Sequence, residues 1–459
     1  MDLSKKPESG DFLFAEVQKV LQQHIKQGDH VCVALSGGID SVALLDLLAN
    51  FSKPMQFSLS TVHVNHGISG NATTWSQFCS KLALSYGIAI EVAYLHVQKE
   101  RGVSLEASAR EQRYRIFSNV MADYVVLAQH LDDQAETLLL QLLRGAGVKG
   151  LSAMPVVRQQ RHVNQAKLLR PLLNVSRHQI EQYAQSKDLT WIIDESNDDT
   201  NYDRNFLRHD VLPILKKRYG SYAKTFTRAS RHLSEASTLL DELAEIDRER
   251  CLISGRLSLQ CLRQLSISRA KNLLRHMLVH QGIPLPSTTK LENLTQQLLS
   301  MREDHQFRIE IDKYQIHCFK GAIYFLARQS PQWITEKHLA TSFIWNHENQ
   351  PAIQWGNGSV HFAQLKNQGI ACEKIIDRLL TIRLRAGGES FKPVSNRARR
   401  SLKNLLQEAC IPPWERKRLP LLFCEDQLIW VPGVGIACEF QVKSGETGVL
   451  PAWNAGDEH

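Results

Sequence analysis

Val31-Cys32-Val33-Ala34-Leu35-Ser36-Gly37-Gly38-Ile39-Asp40-Ser41 is the stretch that decides how this chain folds. Its apolar start reads as a buried parallel strand. The break at Ser-Gly-Gly lets the backbone turn tightly and come close to a ligand, because glycine lacks the Cβ that forbids such approaches. Asp40 then opens an apolar helix through Val42 to Leu48. Ser36, Gly37, Gly38, Ile39, Asp40 and Ser41 therefore form a loop whose hydroxyls and helix-start N–H groups converge on an anion, a phosphate foremost. No G-x-x-x-x-G-K-[ST] occurs, so no Walker lysine reaches a γ-phosphate. Gly145, Gly147 and Gly150 complete a G-x-G-x-x-G, but a helix precedes it where a dinucleotide fingerprint needs a strand.

Around this loop the periodicity alternates. An amphipathic helix over 12–27 comes first. Strands over 31–35, 57–65, 88–95 and 124–128 are each followed by a helix, over 40–50, 74–86, 105–122 and 132–143. Such βαβ alternation predicts an α/β fold with a parallel sheet covered on both faces, and ligands bind beyond the carboxyl ends of its strands. Ser176-x-x-Gln179 marks a capping-box start for a helix running to Lys187. A strand over 191–193 and a helix over 206–217 follow. The predicted architecture is a Rossmann-like N-terminal domain (1–220), a mainly helical middle domain (226–330) with short strands at 306–311, 315–319 and 323–326, and a small α+β C-terminal domain (378–455).

Hydrophobic residues make up 43% of the 459 and charged residues 22%, which places the chain among ordinary globular proteins. The polar N-terminus has no signal-peptide core and no run is long and apolar enough for a bilayer, so the expected compartment is the cytoplasm, with no membrane partner. None of the nine cysteines forms C-x-x-C, which argues against zinc ribbons and thiolate-held clusters. The net charge of +8 is concentrated in clusters. Lys216-Lys217-Arg218 leads into Lys224, Arg228 and Arg231. Arg397, Arg399, Arg400 and Lys403 precede Arg416-Lys417-Arg418 beside Trp414. Basic side chains neutralise backbone phosphates and an adjacent aromatic can stack on a base, although solvated helix faces carry similar charge.

Asp132, Asp133 and Glu136 open the helix after the fourth strand. At i,i+4 and i,i+3 spacing, two or more of these carboxylates share one face. With Asp40 they suit Mg²⁺, which takes one or two carboxylates plus phosphate oxygens, and Asp40 and Glu136 are the candidate metal ligands. An acidic first turn also simply complements the helix dipole. His63, His66 and His130 lie at strand ends and read best as the lining of a nucleotide pocket. A metal phosphohydrolase built on His66, His130, Asp132 and Asp133 is the alternative that these residues leave open. His209-Asp210 reads as surface.

The loop at Ser36–Ser41 resembles the PP-loop of the ATP pyrophosphatase superfamily. Further matches follow in order: Val62-His63-Val64-Asn65-His66-Gly67, Leu105-Glu106-Ala107-x-Ala109-Arg110-x-x-Arg113-Tyr114, and His130-x-Asp132-Asp133-Gln134-x-Glu136-Thr137. Arg144-Gly145-x-Gly147, Arg170-Pro171-Leu172-Leu173, Asp194-x-Ser196-Asn197 and Arg204-Asn205-x-x-Arg208 continue the series. Arg383-x-Arg385-x-Gly387-Gly388-Glu389, Ser401-Leu402-Lys403, Ile411-Pro412-Pro413-Trp414-x-Arg416 and Leu419-Pro420-Leu421 complete it. Together they resemble the tRNA(Ile)-lysidine synthase family over nearly the whole chain. Gln129 departs from the pattern, where many members have His.

The resemblance implies a C–N bond-forming ligase that uses ATP and Mg²⁺ to join free L-lysine to C2 of the wobble cytidine of a CAU-anticodon isoleucine tRNA. An adenylated base is the intermediate, and lysidine, AMP and pyrophosphate are the products. It implies roles in catalysis for Asp40, Asp133, Glu136, Arg113 and Arg208, with ATP held by Ser36–Ser41 and His63. It assigns tRNA contacts to Arg204, Arg397, Arg399, Arg400, Lys403 and Arg416. A tRNA thiolase of the same superfamily is the related alternative, and a homodimer is an assembly that the sequence leaves open.

Overall fold

The computed structural model describes residues 9–67, 70–95, 105–160, 165–195, 199–301, 307–327, 340–345, 352–356 and 358–455. Ser196 and Asn197 of the motif series, and the side chains of Leu105, Glu106 and Ala107, lie outside the described residues. The chain divides into two compact units, Met1–Leu239 and Leu240–His459. The division falls within a single 30-residue helix that starts at Tyr222, and the second unit takes in both the middle and the C-terminal modules.

In the first unit the elements run α1 (Ser9–His24), β1 (His30–Ala34), α2 (Ile39–Met55), β2 (Ser58–Asn65), α3 (Ala72–Ser85), β3 (Ala89–Tyr94), α4 (Leu105–Asn119), β4 (Tyr124–Val126), α5 (Leu131–Leu143) and α6 (Val148–Leu151). Then come β5 (Val157–Arg158), β6 (Lys167–Leu169), α7 (Arg177–Ser186), α8 (Asp203–Phe206), a π-helical turn (Leu207–Val211), α9 (Leu212–Arg218) and α10 (Tyr222–Cys251), whose last turns belong to the second unit. The sheet order is β3-β2-β1-β4-β6-β5, parallel from β3 to β6 and closed by an antiparallel β5. The order reverses between β1 and β4, which pair at Val31↔Tyr124 and Val33↔Val126. At such a switch point the loops leaving two neighbouring strands turn to opposite faces and open a crevice.

Alternation along β1 fills both faces. Val31 and Val33 join Leu13, Val17 and Leu21 of α1 and Leu44, Leu45 and Leu48 of α2 in one core. Cys32 joins Val62, Phe117, Val125 and Leu168 in the other. The helix α2 is buried on almost every side, from Ile39 to Phe51, which explains why its sequence lacks a polar face. The segment 191–193, expected as a strand, has no strand pairing. It lies over the Ser36–Ser41 loop, where the Ile192 N–H donates to the Gly37 carbonyl at 2.9 Å.

The second unit holds helices over Leu259–Arg263, Ile267–His280 and Thr288–Ser300 against a five-stranded antiparallel sheet that includes Phe307–Ile311, Tyr314–Phe319 and Ala322–Ala327. Its C-terminal part has a five-stranded and a four-stranded sheet around a core of Trp345, Leu380, Ile382, Leu422 and Trp430. Among the described residues no helix is long and apolar enough to cross a membrane.

Of the two loop glycines, one carries the conformational demand. Gly37 has φ +89, while Gly38 is in the extended region at φ −72. A Cβ on Gly37 would lie 2.7 Å from Ile192 Cδ1 and 3.1 Å from Cys79 Sγ. Gly37→Ala is expected to cost about 1–3 kcal/mol, the scale of a non-glycine residue held in a sparsely populated backbone region. Gly38→Ala should cost less, because its Cβ would meet only Ser36 Oγ at 3.7 Å. Urea unfolding of the two variants checks the ordering.

Candidate active site

The Ser36–Ser41 loop is held by its own hydroxyls. Ser36 Oγ donates to Ser41 Oγ at 3.0 Å, and Ser41 Oγ donates to the Gly38 carbonyl at 2.9 Å while accepting from the Gly37 N–H at 3.1 Å. Ser41 is therefore buried as a staple, and Ser36 is the hydroxyl at the exposed rim. Ile39 is buried and anchors the helix start in the apolar interior. Gly38 is the N-cap of α2. Helix-start N–H groups lack intrahelical partners and carry the positive end of the helix dipole, so this turn suits an anion. His63 is buried nearby, its Nδ1 2.8 Å from the Leu35 carbonyl, and burial lowers its pKa.

The pairing of β1 with β4 brings the loop beside the start of α5. Asp40 Oδ2 meets the Arg177 guanidinium. Asp40 Oδ1 is buried without a hydrogen-bond partner, 3.9 Å from His130 Nε2. Burial raises the Asp40 pKa, against the pull of His130 and Arg177. His130 also lies 3.7 Å from Asp132 and 3.6 Å from Asp133. Asp132 accepts the backbone N–H of Arg177 at 2.8 Å, tying the starts of α5 and α7 together. At α7 the expected capping box is present: Gln179 Oε1 accepts the Ser176 N–H at 2.9 Å.

Asp133 and Glu136 face a different pair of partners. Arg204 Nε donates to Glu136 Oε2 at 2.8 Å, and Arg208 donates to Glu136 Oε1 from Nε at 2.6 Å and to Oε2 from Nη2 at 2.9 Å. Both guanidiniums reach Asp133 Oδ1, at 3.5 and 3.4 Å. Burial would raise the Asp133 pKa, but His130, Arg204, the His130 N–H and Arg208 outweigh it and hold the carboxyl below its usual range. Arg204 lies on α8 and Arg208 on the π-helical stretch that follows it and interrupts the expected 206–217 helix. Leu212 N–H bonds to the Leu207 carbonyl in i→i+5 fashion, just before Pro213, which has no N–H to offer an α-helical bond.

The donor set fits Mg²⁺ at Asp40 and not at Glu136. Asp40 has a buried oxygen with nothing bonded to it. Glu136 is 1% exposed and has both oxygens taken by guanidiniums, whose charge would repel a cation. Among the described residues no three His, Cys, Asp or Glu side chains are gathered to hold a metal, so the phosphohydrolase constellation is not assembled. His66 sits apart from the acids of α5, near Arg113 and Asp194, and burial with the Arg113 charge lowers its pKa to about 4. Arg113 is exposed. Gln129 accepts from Nε of the buried Arg170, whose Nη1 holds the Pro155 carbonyl at 2.9 Å. His209 and Asp210 are exposed, as expected of surface residues.

The C-terminal basic residues divide in use. Arg399 pairs with Glu439 at 3.3 Å and Arg400 with Glu408. Arg416 is half-buried and donates from Nε to the Ile411 carbonyl at 2.7 Å, a fold-holding contact. Arg397 and Lys403 are exposed. Trp414, expected as a stacking platform, packs instead against His317, Phe319 and Tyr324, with ring centroids 4.4, 6.0 and 5.1 Å away. Arg177 was not singled out by sequence reading, because nothing local distinguishes it from any arginine following an N-cap serine.

Residues 13–215 match the PP-loop domain, 257–324 the TilS substrate binding domain and 380–453 the TilS substrate C-terminal domain. The chain is 50% identical to the tRNA(Ile)-lysidine synthase of Nitrosomonas europaea, over 95% of this chain and 94% of that one. The chain belongs to the tRNA(Ile)-lysidine synthase family. Other relatives with that name come from Azoarcus sp. strain BH72, 37% identical over 96% of this chain and 94% of that one, and Coxiella burnetii, 34% identical over 94% and 93%. Membership in the lysidine synthase family makes the chain an enzyme of the ligase type that modifies tRNA.

Two stability measurements test this geometry. Glu136→Ala strands two guanidiniums, and the expected cost is about 3 kcal/mol, at the low end for breaking a buried pair because Arg208 keeps contact with water. A metal-ligand role would instead leave metal-free stability nearly unchanged. Asp40→Asn has the opposite sign. A folded-state carboxyl pKa above the unfolded value means the ionised form opposes folding, a penalty present at neutral pH and absent below the ordinary carboxylate range. Asp40→Asn should melt at or above the parent temperature at pH 7, and any gain should vanish as pH falls through that range.

Proposed function

We propose that this enzyme ligates free L-lysine to C2 of the wobble cytidine of the CAU-anticodon isoleucine tRNA, at the expense of ATP and in the cytoplasm. The observation that carries the reading is the junction of the Ser36–Ser41 anion cradle with the Asp133–Glu136–Arg204–Arg208 cluster at one switch point. The first feature suits a departing pyrophosphate. The second suits a charged co-substrate and a developing phosphate charge.

The steps balance as follows. The cytidine O2 attacks the α-phosphorus of ATP as the bond to the bridging oxygen of the β-phosphate breaks, and pyrophosphate leaves with that electron pair. The lysine ε-ammonium first loses one proton to solvent, the free amine adds at C2 and releases a second proton, the C2–O bond breaks, and AMP departs with that electron pair. To reach the crevice the cytidine must leave its stack, as bases do when enzymes act on them. The start of α2, with Ser36 at its rim, binds the pyrophosphate portion by fixed N–H and O–H dipoles.

Asp40 would hold Mg²⁺, which supplies charge neutralisation at the phosphates when bound. Arg177 positions Asp40 through their ion pair. Arg204 and Arg208 hold negative charge near the reacting centre, with Glu136 fixing their rotamers. Asp133, kept ionised by those neighbours, is suited to orient the lysine ammonium before it loses its proton. His63 and Arg113 line the nucleotide side, and Arg397 and Lys403 remain as the C-terminal cations open to tRNA.

The direct assay combines ATP, Mg²⁺, labelled lysine and a tRNA with a CAU anticodon. Label should appear in the RNA, and its absence with folded, active-site-intact protein would sink the proposal. Asp40→Asn should abolish tRNA-dependent pyrophosphate release while tRNA binding is retained. Release that persists in this variant would remove Asp40 from the chemistry.

A further inference from the structure

Exposed basic side chains outside the ion pairs of the described residues are not confined to Arg397 and Lys403 of the C-terminal patch. α9 ends in Lys216, Lys217 and Arg218, and α10 carries Lys224, Arg228 and Arg231. The last three are spaced i, i+4, i+7, which places them along one helix face. All six are exposed, and the ion pairs of the described residues include none of them. Tyr219, between the two groups, is 63% exposed, an aromatic face amid cations.

The opposite side of the same helix is anchored at the candidate active site. Tyr222, Ala223 and Phe226 pack with Leu131, Ala135 and Leu139 of α5 and with Leu212 and Leu215 of α9. That is the α5 which presents Asp133 and Glu136. Burial, with Asp132 and Glu136 nearby, pushes the Tyr222 hydroxyl up to about 12. The exposed cations of α10 thus sit on the face turned away from the α5 contact, on a helix whose first turns pack against the helix that presents the arginine-clamped carboxylates. α9 continues the helical stretch that carries Arg204 and Arg208, so one run of chain bears both the clamp and the cations.

We infer that Lys216, Lys217, Arg218, Lys224, Arg228 and Arg231 form a track for the sugar–phosphate backbone of an RNA substrate, with Tyr219 as a stacking surface, beside the candidate active site. The inference rests on the proposed tRNA-modifying reaction and adds to it a surface on the catalytic unit itself. Unpaired cations displace counterions from a polyanion without first breaking protein ion pairs, so this track contributes more to binding than Arg399 and Arg400, which must release Glu439 and Glu408. Tyr219 provides the sequence-tolerant π-face that single-stranded nucleotides use.

The test measures equilibrium binding of full-length protein to CAU-anticodon isoleucine tRNA across about 50–200 mM KCl, a range over which phosphate contacts change affinity by orders of magnitude. The variant Lys224→Ala/Arg228→Ala/Arg231→Ala should bind at least about tenfold more weakly at the low-salt end. The slope of log affinity against log salt should shrink by about two to three, near 0.7–0.9 per contact. Arg399→Ala/Arg400→Ala should change the slope by less than about one. Tyr219→Ala should lower affinity with the slope preserved. Melting temperatures of these surface variants confirm folding. If the parent protein does not bind the tRNA, the proposed function fails and takes the track with it. If the parent binds and the triple variant keeps the parent slope, the function stands and the RNA track is overturned, leaving these cations to an acidic protein surface.

Discussion

The structure of the first unit depends on the pairing of two short strands, β1 and β4. They are neighbours in the sheet although about ninety residues separate them, at Val31↔Tyr124 through Val33↔Val126. Parallel neighbours sit roughly 4.8 Å apart, so whatever leaves their carboxyl ends is forced into one crevice. One strand delivers the Ser36–Ser41 turn and the other delivers His130 and the acids of α5. No local signal in either segment requires the other; the sheet order imposes the meeting.

Charge compensation shapes what that crevice can do. Four carboxylates converge at its mouth, and the fold sends Arg177, Arg204 and Arg208 to meet them. The arginines do not compensate equally. Glu136 is saturated, Asp133 is shared, and Asp40 keeps one buried oxygen unbonded. That gradient separates roles that the acids could have shared. It leaves Asp40 as the oxygen suited to a hard cation and makes Glu136 an anchor for cationic side chains. The π-helical turn before Pro213 belongs to the same arrangement, since it sits in the helical run that supplies both clamp residues.

In the second unit, side chains that look alike in sequence serve different ends. Trp414 and Arg416 stand in a run of basic and aromatic residues typical of nucleic-acid contacts. Trp414 nevertheless packs on the ring face of a neighbouring sheet and Arg416 holds a backbone carbonyl. Burying an indole among aromatics removes far more apolar surface from water than leaving it exposed for a transient partner. The residues of the basic stripe at 216–231 face water because the other side of α10 already carries the apolar contacts with α5 and α9.

The sequence by itself determined the alternation of strands and helices, the anion-binding turn after β1, the capping box at Ser176, and the motif series that reaches from Ser36 to Leu421. These are legible because period, glycine placement and short-range capping act within a few residues. It did not disclose that Gly37 rather than Gly38 carries the strained backbone, that residues 191–193 lie as an unpaired segment over the loop, or that the two compact units divide within α10. Nor did it tell Glu136 from Asp40, or Arg399 from Arg228. Those distinctions depend on which opposite charge the fold brings within hydrogen-bonding distance. Only tertiary structure decides that, because the partners come from segments tens to more than a hundred residues apart, and sheet order and helix packing set their separation in space.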